Sequence, residues 1–168
     1  MRKKIIILSS FAAAIAAVVI VFSTVKHTNN VKPQDAAQAK KSASTNKYQS
    51  VKNELAAEFS KKDYAKVVVE NNVATSDLPE SHTEVRVIVK HKANIQAIME
   101  AQSAINNNRA TPDQKRLIYN IQQKVKKAAA KLKKGDAVSF GYPFNGDLEM
   151  VAYSTNEREI IPMVDPQS

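Results

Sequence analysis

Residues 5–25 form a run of 21 positions without a charged side chain, and no other feature of the sequence constrains the molecule as strongly. At about 1.5 Å per residue, a helix of that length crosses the roughly 30 Å of a bilayer's hydrocarbon core. The run holds five Ala, three Ser and one Thr, so it is only moderately apolar. It nevertheless lacks the polar face that a long core helix of a soluble protein carries. Arg2, Lys3 and Lys4 stand immediately before it. The pattern predicts a cytoplasmic basic head at residues 1–4 and a transmembrane anchor, or uncleaved signal, at residues 5–25.

A cleaved signal peptide is the rival reading, and it would make the protein secreted. Its apolar region is typically about 7–15 residues and ends at a small-x-small site. Here the run is longer, and Ser23-Thr24-Val25 would place Val at the cleavage position. Ala37-Gln38-Ala39 has suitable residues but lies too far downstream. Flanking charge decides little about orientation, because Lys26, Lys32, Lys40 and Lys41 nearly match the basic head. The short cationic start before an apolar run favours a cell-membrane protein with its C-terminal part outside. The absence of cysteine fits an exported chain and removes disulfides, thiolate metal sites and a cysteine nucleophile from consideration.

Residues 26–46 are rich in Lys, Ala, Ser, Gln, Asn and Thr, with Val31 the one large apolar residue. Such a segment buries too little apolar surface to offset its ordering entropy, so a flexible polar tether is expected there. In layout the chain resembles small exported or membrane-anchored proteins of Gram-positive bacteria.

Residues 47–165 are expected to form a single extracytoplasmic domain. Tyr48, Val51, Leu55 and Phe59 share one helical face. Val67, Val68 and Val69 read as a strand, Asp77 to Ser81 as a turn, and Val85, Val87 and Val89 as a second strand. Asn94 is the expected cap of a helix carrying Ile95, Ile98, Met99, Gln102 and Ile105 on one face. Thr111-Pro112-Asp113-Gln114 is a helix start with a capping box, and Gly135 is the expected stop after Lys134. Val138, Phe140, Tyr142 and Phe144 then alternate into Asn145-Gly146, a strong two-residue hairpin signal, and Leu148, Met150 and Ala152 return. Pro143 points to an edge strand or an irregular strand end, and Ile160-Ile161 to a short last strand. The order predicts an α+β domain with helices packed on one face of an antiparallel sheet.

Charge supplies the candidate binding site. The formal net charge is +9. From Arg109 to Lys134 nine cationic residues face one acid, Asp113, and Lys124, Lys127, Lys131 and Lys134 fall on one side of the expected helix. These four lysines are the expected anion-binding residues, with anionic lipid or a cell-wall polymer as partner. The competing reading is a solvated outer face neutralised by Asp136, Glu149, Glu157, Glu159 or Asp165, since residues 135–168 carry a net −5. Nucleic acid is a poorer fit, because arginine and aromatic residues are sparse along the stripe. A domain facing the cytoplasm would reopen it. Phe140, Tyr142, Phe144 and Tyr153 are expected in a core layer of the sheet rather than on a ligand platform.

No catalytic residue, cofactor site or metal site is assigned. Three glycines exclude a glycine-rich phosphate loop, and no metal-ligand or nucleophile-elbow spacing occurs. Were the protein an enzyme, Glu80, His82 and Glu84, alternating in the turn before the second strand, would be the candidates. The reading is therefore a non-enzymatic binding or structural module of unspecified ligand and oligomeric state, with an unrecognised enzyme as the alternative.

Overall fold

The computed structural model describes residues 34–59 and 64–167, with side chains from Asn46 onward. The anchor expected at residues 5–25 lies outside these residues. Among the described residues no helix is long and apolar enough to cross a membrane.

Three helices and four strands follow in the order α1 (Gln34–Phe59), β1 (Ala65–Val73), β2 (His82–Val89), α2 (Lys92–Asn106), α3 (Pro112–Ala129), β3 (Ala137–Phe144) and β4 (Asp147–Thr155). The domain is α+β, as expected from the sequence. The sheet, in order β1-β2-β3-β4, is mixed rather than antiparallel. β1 and β2 pair antiparallel, β2 and β3 pair parallel, and β3 and β4 pair antiparallel. The parallel pair follows from the connection between its strands. α2 and α3 together form a crossover long enough to return the chain to the end of the sheet where β2 began, and a parallel pair needs such a crossover.

Register sorts the strand residues onto two faces. Val67, Val87, Phe140 and Ala152 form one row across all four strands. They join Val51, Leu55 and Phe59 of α1, Ile98 and Ala101 of α2, and Ile118, Ile121 and Val125 of α3 in one buried cluster. Phe59 and Phe140 meet at 5.0 Å with tilted rings, which ties α1 to the centre of the sheet. Burying a side chain of this size is worth roughly 1.5–3 kcal/mol relative to leaving it in water.

Local signals fix most element ends. At α3 the capping box forms as expected: the Gln114 amide donates to Thr111 Oγ1 at 3.3 Å, and the Thr111 amide donates to Gln114 Oε1 at 2.9 Å. The helix ends at Ala129, not at Lys134. Amides of Lys131 and Leu132 reach back only three residues, to Ala128 and Ala129, so a tighter turn carries the chain to Gly135 at φ +85°. α2 starts at Lys92 with His91 as its N-cap residue, upstream of the expected Asn94. α1 likewise starts at Gln34, within the stretch 26–46 that was expected to be a tether. Ala36, Ala37, Ala39 and Ala43 favour helix without needing a buried face.

Asn145 and Gly146 both adopt positive φ, 51° and 88°, and Phe144 pairs with Asp147 across the tight turn. Both positive angles are what a type I′ turn requires. β3 is an inner strand, so of the two readings of Pro143 the edge strand is incorrect and the irregular strand end holds. Pro143 is tolerated because pairing to β2 stops at Gly141. The last strand expected at Ile160-Ile161 is reduced to an isolated bridge, Ser154 to Glu159. A buried Gln122 instead ties down this end of the chain. Its Nε2 donates to the carbonyls of Val151 and Pro162, and its Oε1 accepts from the Val164 amide.

Candidate functional site

Of the four expected lysines only Lys124 and Lys127 lie on α3, and their surroundings are more acidic than the sequence implied. Lys124 Nζ lies 2.6 Å from Glu58 Oε2, and Lys131 pairs with Glu54. Both acids come from α1, and neither was among the expected partners. Lys134 lies 3.0 Å from Glu157, and Lys126 2.5 Å from Glu159, so acids of the C-terminal segment do reach the basic helix. Lys127 is exposed and has no ion pair or hydrogen bond among the described residues. Because α3 ends at Ala129, Lys131 and Lys134 stand on the turn that follows it. The pairs are solvent-exposed, with the Lys134 side chain 81% accessible. Such pairs contribute about 0–1 kcal/mol each, so an outside anion exchanges for the internal carboxylate at little cost.

The pairs also fix direction. The earlier acid of α1, Glu54, meets the later lysine, Lys131, and Glu58 meets Lys124. α1 and α3 are therefore antiparallel. Lys133 Nζ sits 5.9 Å from the Tyr48 ring centroid, near the point where α1 enters the domain. The Tyr48 hydroxyl donates to Asp136 Oδ2, and Asp136 Oδ1 accepts from the Thr83 amide at 2.8 Å. Asp136 is thereby used inside the fold and does not neutralise the lysines.

The second set of candidates behaves differently from expectation. His82 and Glu84 belong to β2, not to a solvated turn, and both are buried. Their row faces away from the helices. Val68, Arg86, Ser139 and Tyr153 are in register across the four strands, beside the row Glu70, Glu84, Ala137 and Thr155. Glu84, fully buried, accepts from Arg86 Nε at 2.9 Å and Arg86 Nη2 at 3.1 Å, and from the Ser139 hydroxyl. Arg86 Nη1 reaches Glu70 at 2.6 Å. Burial opposes the charge on Arg86, but the carboxylates of Glu84 and Glu70 more than offset it and hold its pKa above the ordinary arginine value.

His82 Nδ1 lies 2.9 Å from the Glu80 carbonyl oxygen. That contact requires Nδ1 to carry the proton, which leaves Nε2 of neutral His82 to accept from the Tyr153 hydroxyl at 3.2 Å. Glu84 Oε2 lies 3.9 Å from the same Nε2. Burial, reinforced by the Glu84 carboxylate, pushes the Tyr153 phenol up to about 12. The Thr75 hydroxyl accepts from the Leu78 amide at 3.1 Å, and the Glu80 carbonyl meets His82, so residues 74–81 form an ordered turn at this end of the sheet. Glu80 contributes only its carbonyl, and its side chain is exposed. The expected trio is thus a pair plus a backbone atom. Among the described residues no group of three His, Asp or Glu side chains is placed to hold a metal ion. Every buried polar side-chain atom of the described residues has a partner.

Of the four aromatics near the hairpin, Phe140 and Tyr142 join the core as expected. Tyr153 points to the opposite face, and Phe144 is 39% exposed beside the turn. A separate open cleft of about 270 Å³ lies between Phe59, Tyr64, Leu117 and Ile121, with Lys124 and Glu58 at its rim. Its lining singles out no chemistry.

No family model, curated protein or solved structure matches this chain.

Proposed function

We propose that this chain is a single-pass membrane protein, held by residues 5–25, whose α+β domain stands outside the cytoplasm as a binding or structural module. Its anion-binding face is the ridge formed by Lys124 and Lys127 of α3 with Lys131 and Lys134 of the following turn. The observation that carries this reading is the state of the ridge: Lys127 has no ion pair among the described residues, Lys131 and Lys134 meet single carboxylates near the surface, and Lys124 lies between Glu58 and the Phe59 ring. Phosphate groups of lipid or wall polymer compete well for such lysines, because each surface pair is weak and screened by salt.

The buried cluster supports a binding role rather than a catalytic one. Glu84 commits its oxygens to Arg86 and Ser139, and His82 commits both ring nitrogens to Glu80 and Tyr153. These groups order the back of the sheet and the loop at residues 74–81.

The test uses the full chain in phosphatidylcholine nanodiscs. Binding to phosphatidylglycerol vesicles and to a glycerol-phosphate wall polymer is measured over a range of salt. Replacing the four lysines with Gln is expected to weaken binding and flatten its dependence on salt. Absence of binding by the unaltered chain at low salt would sink the reading.

A further inference from the structure

The two edges of the sheet are finished differently. The β4 edge is closed by the chain itself. The Thr155 amide donates to the Arg158 carbonyl, the Tyr153 carbonyl accepts from the Ile160 amide at 2.8 Å, and the Val151 carbonyl accepts from Gln122. The β1 edge has no such cover among the described residues. The Lys90 amide donates to the Tyr64 carbonyl at 2.9 Å, and that bond sets the alternation of the β1–β2 ladder. The backbone groups of Lys66, Val68 and Glu70 therefore also turn toward β2, and those of Ala65, Val67 and Val69 turn outward. None of these outward N–H and C=O groups has a partner among the described residues. A row of unpaired backbone groups is a template for another strand.

We infer that a second copy of the chain fills this edge, β1 against β1, antiparallel about a two-fold axis at Val68, so that two sheets join into one. The charge pattern of the strand singles out a second copy. Ala65-Lys66-Val67-Val68-Val69-Glu70 carries its cation and its anion at equal distances from Val68. Pairing about Val68 sets Lys66 of each copy opposite Glu70 of the other, a contact made twice, with Val68 opposite Val68 at the axis. Lys66 is exposed and has no ion pair among the described residues. The Glu70 side chain is 41% accessible and gives Oε2 to Arg86, which leaves Oε1 for an incoming cation. Opposite charges directly across two strands stabilise the pair, and like charges oppose it. Val67 and Val69 then face each other across the new ladder and exchange backbone hydrogen bonds through their outward groups. The irregularity between Glu70 and Val73, with Asn72 at φ +58°, ends the paired stretch on each side. Such an interface is self-complementary and closes at two copies.

The helical layer accommodates the pairing. An antiparallel edge pair leaves the helices of both copies on one face, with α1 of one beside α1 of the other. Glu54 and Glu58 turn one flank of α1 toward α3, so at about 3.6 residues per turn the other flank presents Lys52 and Ala56. Ala56 is small and half-buried, which leaves room for close approach. Lys52 is the charged group above the strand on that flank, and its four-carbon stem can carry the ammonium out to water. The pairing stands whether or not residues 5–25 span a membrane.

The test is disulfide trapping in the full chain, which has no cysteine of its own. The chain is held in detergent with most micelles empty, oxidised with copper–phenanthroline, and read on a non-reducing gel. Opposite residues of a pair without mutual hydrogen bonds have Cα atoms about 4.5 Å apart, within disulfide reach. Val68→Cys should therefore link to itself readily. Lys66→Cys should link to Glu70→Cys when the two variants are mixed, but not to itself, because two Lys66 positions lie about 14 Å apart along the pair. Asp147→Cys, exposed at the hairpin turn, is the control.

Two further changes on the Val68→Cys background test the cause. Lys66→Glu places like charges opposite each other twice and should weaken association roughly tenfold, whereas Lys66→Arg should keep it. Val69→Pro removes an N–H that faces away from β2, so it should abolish linkage while the melting temperature shows the domain still folded. Linkage of Val68→Cys no faster than that of Asp147→Cys overturns the proposal, whether the chain stays monomeric or associates through another part. Ready self-linkage of Lys66→Cys overturns pairing about Val68. Linkage indifferent to Lys66→Glu shows that charge complementarity does not select the second copy, and overturns it as well.

Discussion

Across the middle of the sheet, Val67, Val87, Phe140 and Ala152 lie against three helices, and the neighbouring row, Val68, Arg86, Ser139 and Tyr153, points the other way. The first face is held mainly by apolar packing, with Gln102 and Gln122 adding hydrogen bonds from the helices to β3 and β4. The second buries a carboxylate, a guanidinium, an imidazole and a phenol, each satisfied by another. Burial is nearly equal on the two sides at Glu84 and Val85, yet the energetics are not. Apolar packing tolerates loss in proportion to the volume removed, whereas a buried ion pair fails as a unit once one member is gone.

The largest expected effect separates the two faces most sharply. Arg86→Ala leaves Glu84 buried without its cation and should destabilise the domain by about 3–5 kcal/mol, read by thermal unfolding of the full chain in detergent. Replacing both members, Glu84→Leu with Arg86→Met, should recover most of that loss. A double variant no more stable than Arg86→Ala would show that the back face depends on the charges themselves. On the helix side Leu55→Ala should cost about 3 kcal/mol, and no compensating charge change should restore it.

A smaller effect is expected where the strands approach most closely. A Cβ on Gly141 would stand 2.5 Å from the Glu149 carbonyl oxygen, next to the irregularity in the β3–β4 pairing. Gly141→Ala should therefore cost about 2 kcal/mol by overpacking, and a variant as stable as the parent would place the pairing elsewhere.

The smallest effect is a dependence on alkaline pH. Burial first, then the Glu149 carboxylate, pushes the Tyr142 phenol up to about 12, and Tyr153 is raised to a similar value. An unfolded tyrosine ionises near 10, so the folded state holds these protons more tightly. The associated stability is complete below pH 10 and is lost as pH rises from 10 toward 12, by an amount on the order of 1–2 kcal/mol. Tyr142→Phe should make the melting temperature fall less steeply over that interval. An unchanged slope would mean that Tyr142 ionises as freely as in water.

The same comparison explains what was legible in the sequence. The helix-side residues announce themselves by period: three and four apart in α1, two apart in β2 and β3. Thr111 with Gln114, and Asn145 with Gly146, fix a start and a turn through local chemistry alone. Strand direction has no such signal, because alternation of period two reads the same both ways, and the parallel β2–β3 pair went unseen. Glu84 and Arg86 alternate with Val85 and Val87 as a solvent-facing row would. In the fold that row is buried instead, and the loop at residues 74–81 meets its end through the Glu80 carbonyl on His82. The basic ridge was visible as charge, but its partners Glu54 and Glu58 were not. They lie some seventy residues away in sequence and meet Lys131 and Lys124 only through the antiparallel packing of α1 on α3.

The central claim, an anchored protein with its domain outside the cytoplasm, is tested most directly by topology and processing together. The full chain carries a C-terminal tag in intact cells, external protease is added, and membrane and medium fractions are compared by size. The account predicts full-length protein in the membrane fraction and loss of the tag to the protease. A tag protected until the cells are opened, or a shortened chain recovered from the medium, would contradict it.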